Sequence, residues 1–168
     1  MLFNLQSESV VFSEQDEKWM RLALEQAHFA QMQGEIPVGA VIVSQDKVIG
    51  VGYNAPIGLQ DPTAHAEISA LRDACKGLNN YRLPADAVLY VTLEPCTMCV
   101  GALIHARIQK VIFAAHEPKS GSLVSARQLL NNQGYYNHLF EYQSGCLEAE
   151  ASALLSQFFK ARRAQKKY

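Results

Sequence analysis

The chain has 168 residues and a mass of 18.6 kDa, a length that predicts a single domain. Hydrophobic residues make up 49% and charged ones 18%, enough to bury one sizeable core and a mix that excludes a disordered or collagen-like chain. Fifteen Lys and Arg against sixteen Asp and Glu leave a formal net charge of -1, which speaks against indiscriminate coating of nucleic acid.

Residues 1–12 carry no Lys or Arg and no unbroken apolar core, so they read as a short N-terminal extension and not as a secretory signal. Ser13, followed by Glu14, Asp16 and Glu17, predicts a helix start, with acids where the positive end of the dipole favours them. Trp19, Met20, Ala23, Leu24, Ala27 and Ala30 then recur at helical spacing, and Gly34 is a stop. The most apolar stretch, 36–43, contains Pro37 and Gly39 and is far too short to span a bilayer, so a soluble cytoplasmic protein with no membrane partner is expected. Runs 38–44 and 48–53 are rich in β-formers and separated by Gln45-Asp46-Lys47, which predicts a hairpin.

Asp61-Pro62 reads as an N-cap and first-turn proline, opening a helix that ends at Gly77. Strand 88–93, helix 97–106 and strand 110–115 follow with short joints, a succession that implies a right-handed parallel crossover. A helix near 125–130, a strand at 138–142 and a final helix at 147–163 complete the chain. The pattern is of α/β class, a five-stranded mixed sheet with helices on both faces in three α/β/α layers. No repeat, low-complexity tract or linker divides it, so residues 1–168 are expected to form one domain, with a basic C-terminal helix and tail at 147–168.

Four cysteines occur, and nothing else signals secretion. Cys75 and Cys146 stand alone, as small buried residues do. Cys96 and Cys99 are three apart where an apolar strand meets a helix, so both sulfurs can reach one ion, and the helix dipole favours their thiolates. His65, early in the preceding helix, can meet the same ion. Two sulfurs and a nitrogen suit zinc and argue against magnesium or calcium. Three ligands, not four, point to an open site with an activated water. Glu67, two residues after His65, would stand beside the ion without binding it and move protons. Alone, His-x-Glu carries little weight, and Cys-x-x-Cys leaves redox, structural zinc and coincidence open. The ordered set His65-x-Glu67, then Pro95-Cys96-x-x-Cys99 thirty-one residues after the histidine, is the signature of zinc-dependent nucleobase deaminases.

Four stretches extend that likeness: 36–41 (Ile36-Pro37-Val38-Gly39-Ala40-Val41), 61–67 (Asp61-Pro62-Thr63-Ala64-His65-Ala66-Glu67), 92–99 (Thr92-Leu93-Glu94-Pro95-Cys96-Thr97-Met98-Cys99) and Gly101-Ala102. The chain from about residue 19 to 163 resembles the bacterial tRNA-specific adenosine deaminases of the cytidine-deaminase superfamily. Asn54 and the closing Phe158-Phe159-x-x-Arg162-Arg163 narrow the likeness to the tRNA enzymes. The resemblance implies a cytidine-deaminase-like fold and conversion of the wobble adenosine of a tRNA anticodon to inosine. It implies one zinc per subunit on His65, Cys96 and Cys99, with Glu67 as proton shuttle and ammonia leaving. It also implies a homodimer whose two subunits hold the anticodon stem-loop. Asn54 falls where a residue hydrogen-bonds the inserted nucleoside, and Val38 and Leu93 where the pocket walls lie. After strand 110–115 the family commonly carries an acid and then Lys-x-Gly near the bound nucleotide. Here the stretch is His116-Glu117-Pro118-Lys119-Ser120-Gly121, with Glu117 where Asp is usual.

Glu94 is expected to be structural, in a salt bridge, and His28, His105, His116 and His138 to be surface or packing residues. Lys160, Arg162, Arg163, Lys166 and Lys167 put five positive charges into eight residues with no acid, a strip for phosphates on one reading and a solvated helix end on the other. Of Phe158 and Phe159, one is expected in the core and the other at the pocket mouth or against a base. Two rival functions share these residues: a deaminase of free guanine or cytosine, which needs no basic strip, and a non-catalytic RNA-binding module stabilised by zinc, which needs neither Glu67 nor an open coordination position.

Overall fold

The Ser13 hydroxyl accepts the Asp16 N–H at 3.0 Å, and the Asp16 carboxylate accepts the Ser13 N–H in return, so the first helix opens on a closed capping box. The structure, a computed structural model, describes residues 10–131, 134 and 136–166; the first nine residues of the N-terminal extension and Lys167 of the basic tail lie outside the described residues. Helix α1 runs Glu14–Met32. Strands β1 (Gly39–Ser44) and β2 (Lys47–Tyr53) pair antiparallel around a two-residue turn. Its residues, Gln45 and Asp46, both have positive φ (48° and 60°), the backbone that matches strand twist in a tight hairpin. Then come α2 (Pro56–Leu59), α3 (Ala66–Leu78), β3 (Val88–Leu93), α4 (Thr97–Ala106), β4 (Lys110–Ala115), β5 (Glu141–Ser144) and α5 (Glu148–Gln165).

The strand order is β2-β1-β3-β4-β5. β1 is antiparallel to both its neighbours, whereas β3, β4 and β5 run parallel. Period-two alternation divides β1 between two cores. Val41 and Val43 pack with Trp19, Met20 and Ala23 of α1 and Ala151 of α5. Ala40 and Ile42 pack with Ala66, Ala70 and Ala74 of α3 and Val100 and Leu103 of α4. Hence β1 is buried along its whole length, and the sheet is the middle of three layers. α3 lies very close to β2: a Cβ on Gly52 would stand 2.2 Å from the Ala66 carbonyl oxygen and 2.4 Å from the Ala70 nitrogen. That close approach holds the beginning of α3 against the sheet.

Four elements differ from the sequence expectation, three of them where a side chain claims backbone groups. α3 begins at Ala66 and not at Pro62, since Asp61 Oδ1 accepts both the N–H and the hydroxyl of Thr63 and folds 61–64 into a turn. His65 is therefore the N-cap and not a residue within the helix. The short helix α2 precedes that turn and has no amphipathic signal. No α-helix forms at 125–130: the Leu123, Val124 and Ser125 N–H groups go to the Glu94 carboxylate, and only a 3₁₀ turn, Leu129–Asn131, remains. β5 starts three residues later than 138, because its parallel register pairs Lys110 with Glu141, while His138 bonds the Ile108 carbonyl and Phe140 fills the core.

The Tyr90 hydroxyl donates to Asp16 at 2.8 Å, tying α1 to β3. Partial burial opposes ionisation of Asp16, but the hydrogen bonds from Ser13 and Tyr90 outweigh it and hold the carboxyl below its usual range. Such a group stabilises the fold above its ordinary pKa and loses that contribution as pH falls through the folded-state value. Asp16→Asn is thus expected to lower the urea midpoint near neutral pH, and the gap to the wild type should close as pH drops through and below 3.8, followed by circular dichroism.

Candidate active site

β3 is the strand at which the sheet changes from antiparallel to parallel pairing, and a crevice opens beyond its carboxyl end, where β1 begins and β4 also ends. Helices α3 and α4 both start there. Their N-caps are His65 (φ -74°, ψ 156°) and Cys96 (φ -77°, ψ 174°), and neither side chain caps its own helix. They meet each other instead: His65 Nδ1 lies 3.6 Å from Cys96 Sγ and 3.6 Å from Cys99 Sγ, and the two sulfurs are 3.7 Å apart. Among the described residues, this is the one group of three His, Cys, Asp or Glu whose ligand atoms lie within 4.8 Å of one another.

Those dimensions test the metal. Zn–S bonds of about 2.3 Å and Zn–N bonds of about 2.0–2.1 Å at tetrahedral angles place two sulfurs about 3.8 Å apart, and sulfur and nitrogen about 3.6 Å apart. The triangle has those edges, so the three donors fit a single zinc ion. Of the three donors, Cys96 is the one whose surroundings favour the anion. The hydrogen bond from the Cys99 thiol pulls Cys96 down to about 4, with His65 assisting against the effect of burial. The same hydrogen bond, with burial, pushes Cys99 up, and the hydrogen bond to Cys96 raises His65.

Glu67 sits in the first turn of α3 with 4% of its surface exposed, in hydrogen-bond contact with Cys99. Burial pushes its carboxyl up to about 7, the range of a group that takes and returns a proton near neutrality. His65, Glu67 and Cys96 line a cavity of about 250 Å³, with Cys99 fully buried behind them. That volume admits one flat heterocycle and not a length of polymer.

Val38, Asn54, Leu93, Glu117 and Phe159 line the same cavity. Asn54 is held at its place because its N–H donates to the Val38 carbonyl, while Ala55 donates to Ala64 across the turn before α3. Phe158 is buried, and Phe159 is 40% exposed at the rim. Arg162 and Arg163 do not line the cavity: they are exposed on the last turns of α5, Arg162 lying over the Phe158 ring at 5.3 Å. Ile36, Leu155, Ser120 and His116 also line it, and sequence reasoning does not single them out as site residues. His116 packs edge-on against Phe113 and is partly exposed, as a surface or packing histidine is, and it also lines the cavity. The signal that could find it is positional, one residue beyond the carboxyl end of a parallel strand.

Glu94 is structural, but among the described residues it makes no salt bridge. Buried at 2% exposure, it accepts the N–H groups of Glu117, Leu123, Val124 and Ser125 and the Ser125 hydroxyl. The carboxylate thereby folds loop 117–125 over the start of α4, where Cys96 bridges to Gly121. A Cβ on Gly121 would come within 2.4 Å of the Glu94 carboxylate, so only glycine fits.

Comparison with known proteins finds the same pieces. The cytidine and deoxycytidylate deaminase zinc-binding region matches residues 13–115. A tRNA-specific adenosine deaminase of Haemophilus influenzae is 51% identical over 158 residues, spanning 94% of this chain and 90% of its own length. The corresponding protein of Bacillus subtilis is 42% identical over 153 residues, 91% of this chain and 94% of its own. A solved structure from biochemical and structural studies of A-to-I editing by tRNA:A34 deaminases at the wobble position of transfer RNA aligns with a TM-score of 0.78 and 42% identity, over 82% of this chain and 99% of the other.

Glu94→Gln replaces an acceptor facing five donors with a group that is half donor. It is expected to cost about 1.5–3 kcal/mol locally. Hydrogen exchange should accelerate across 117–125 while α1 and the strands keep their protection.

Proposed function

The chain belongs to the cytidine and deoxycytidylate deaminase family, on its tRNA-specific adenosine deaminase branch, and we propose that it hydrolyses the wobble adenosine of a tRNA anticodon to inosine and ammonia. The observation that carries this reading is a zinc-sized triangle of three donors with a buried, non-ligating carboxyl beside it at the floor of a base-sized cavity.

His65, Cys96 and Cys99 hold the zinc, one ion per subunit, which when bound supplies Lewis-acid activation of water at its open position. Glu67 takes the first proton from the attacking water and gives it to adenine N1 as the oxygen adds to C6. It then carries the second proton to the exocyclic nitrogen, the C6–N6 bond breaks, and ammonia leaves. Adenosine and one water are thereby consumed, and inosine and ammonia formed. Val38 and Leu93 wall the base, and Asn54 supplies the directed donor and acceptor that orient the nucleoside. A base inside a folded loop reaches such a floor only by leaving its stack.

The whole chain acts as one catalytic unit, paired as a homodimer, in the cytoplasm; no described helix is long and apolar enough to cross a membrane. Arg162 and Arg163, exposed beside the rim residue Phe159, meet the phosphates of the anticodon stem-loop. Glu117 and Phe159 contact the loop at the cavity mouth.

Purified protein incubated with tRNA, an anticodon stem-loop, and free adenosine, guanine and cytidine should form inosine in the RNA alone; turnover of a free base with none in RNA would overturn the reading. Glu67→Ala should keep zinc and RNA binding but lose about a hundred- to ten-thousandfold in turnover. Cys96→Ala should lose zinc by metal analysis. Replacing Arg162 and Arg163 together by Ala should reduce the salt slope of RNA binding by about 1 for each phosphate left without its arginine, and an unchanged slope would return both to the solvated surface.

A further inference from the structure

His116 is placed and oriented in a way that packing alone does not require. It follows β4 directly, and its ring stands edge-on to Phe113 at 5.3 Å. Its Nδ1 lies 3.1 Å from Glu148 Oε1 in the first turn of α5. A carboxylate oxygen only accepts, so Nδ1 donates there. Nε2 is thus left on the opposite side of the ring, without a hydrogen-bond partner among the described residues, on a side chain 36% exposed at the cavity. In the neutral ring, Nε2 is an acceptor.

The surroundings select what it can accept. Glu67, Glu94 and Glu117 line the cavity, and among the described residues no Lys or Arg does. Glu67 lies at the floor and Glu94 is already taken by five donors, so among the described lining residues Glu117 and His116 Nε2 are the acceptors left at the mouth, which suits groups that bring a hydrogen. The cavity holds one base, so a nucleotide chain entering it leaves the neighbouring sugars and bases at the rim, beside His116 and Phe159.

We propose that His116, held in orientation by Glu148, is a substrate-contacting residue that accepts, through Nε2, a hydrogen bond from an O–H or N–H of a nucleotide flanking the reacting one. The inference rests on the RNA reading above and adds to it a residue that selects the flanking nucleotide. Glu148 acts through His116 and is a positioning residue. The donor is either a ribose hydroxyl or an exocyclic base amino group; both present the same chemistry to Nε2.

The test measures kcat and KM on an anticodon stem-loop for the wild type, His116→Phe, Glu148→Ala and Glu148→Gln. His116→Phe keeps an edge-on ring against Phe113 but has no acceptor. It should raise KM about three- to tenfold, the worth of one neutral hydrogen bond, with the effect falling on KM and not on kcat. Glu148→Ala should move KM in the same direction, and Glu148→Gln, whose amide oxygen still accepts from Nδ1, should restore most of it. Stem-loops with a single 2′-deoxy sugar, or a single base lacking its amino group, at each position flanking the target then identify the donor. One of these should penalise the wild type by a similar factor and leave His116→Phe indifferent. A His116→Phe enzyme with wild-type KM, or one as sensitive as wild type to every donor deletion, overturns the proposal while the RNA reading stands. Wild-type protein that turns over a free base and ignores the stem-loop overturns both.

Discussion

His65 and Cys96 occupy N-cap positions without capping, and the molecule is arranged around that refusal. An N-cap normally turns its side chain back onto the first free N–H groups of its own helix. Here both side chains reach across to each other and to Cys99, so two helix N-termini face one point. The positive ends of both dipoles favour negative charge at that point, about 0.3–1 kcal/mol for each helix terminus. The two cysteines and the Glu67 carboxyl can therefore be buried together without a Lys or Arg among the described residues lining the cavity.

Bringing two helix starts to one place is work done by the sheet. β3 carries the turn into α4, and its neighbour β1 runs the other way, so residues entering β1 and residues leaving β3 and β4 share one edge. Val38, Leu93 and His116 come together for that reason alone. Gly52 sets how near the sheet α3 begins, since any side chain there would displace Ala66 and His65 with it. Glu94 performs the corresponding task on the other flank, where one carboxylate organises a loop that has no regular structure of its own.

Much of this is legible in the sequence because its signals are local. The helix start at Ser13, the alternating and continuous apolar strands, and α4 after Pro95 emerge within a residue or two of expectation. The ligand spacing is legible too, since Cys96 and Cys99 lie one helical turn apart. The illegible parts involve a side chain reaching backbone or partner far along the chain. Nothing near residues 123–125 announces that Glu94 will take their N–H groups, and nothing near His116 announces Glu148. Asp61 shows a third kind of failure, in which a correct preference for helix starts is satisfied by a different local structure, the turn that places His65 at the helix tip.

The cavity's floor and rim come from separate stretches of chain. Val38, Asn54, His65, Glu67, Leu93 and Cys96 all precede residue 100, whereas His116, Glu117, Leu155 and Phe159 follow it. The His/Cys/Cys group and Glu67 thus come wholly from the first of these stretches, together with Val38, Asn54 and Leu93 of the wall, and the second completes the lining. Sequence change after β4 can alter which molecule is admitted while the reacting groups keep their positions. A lineage holding this scaffold can diverge in substrate by drift in one loop and one helix, with its metal chemistry inherited intact.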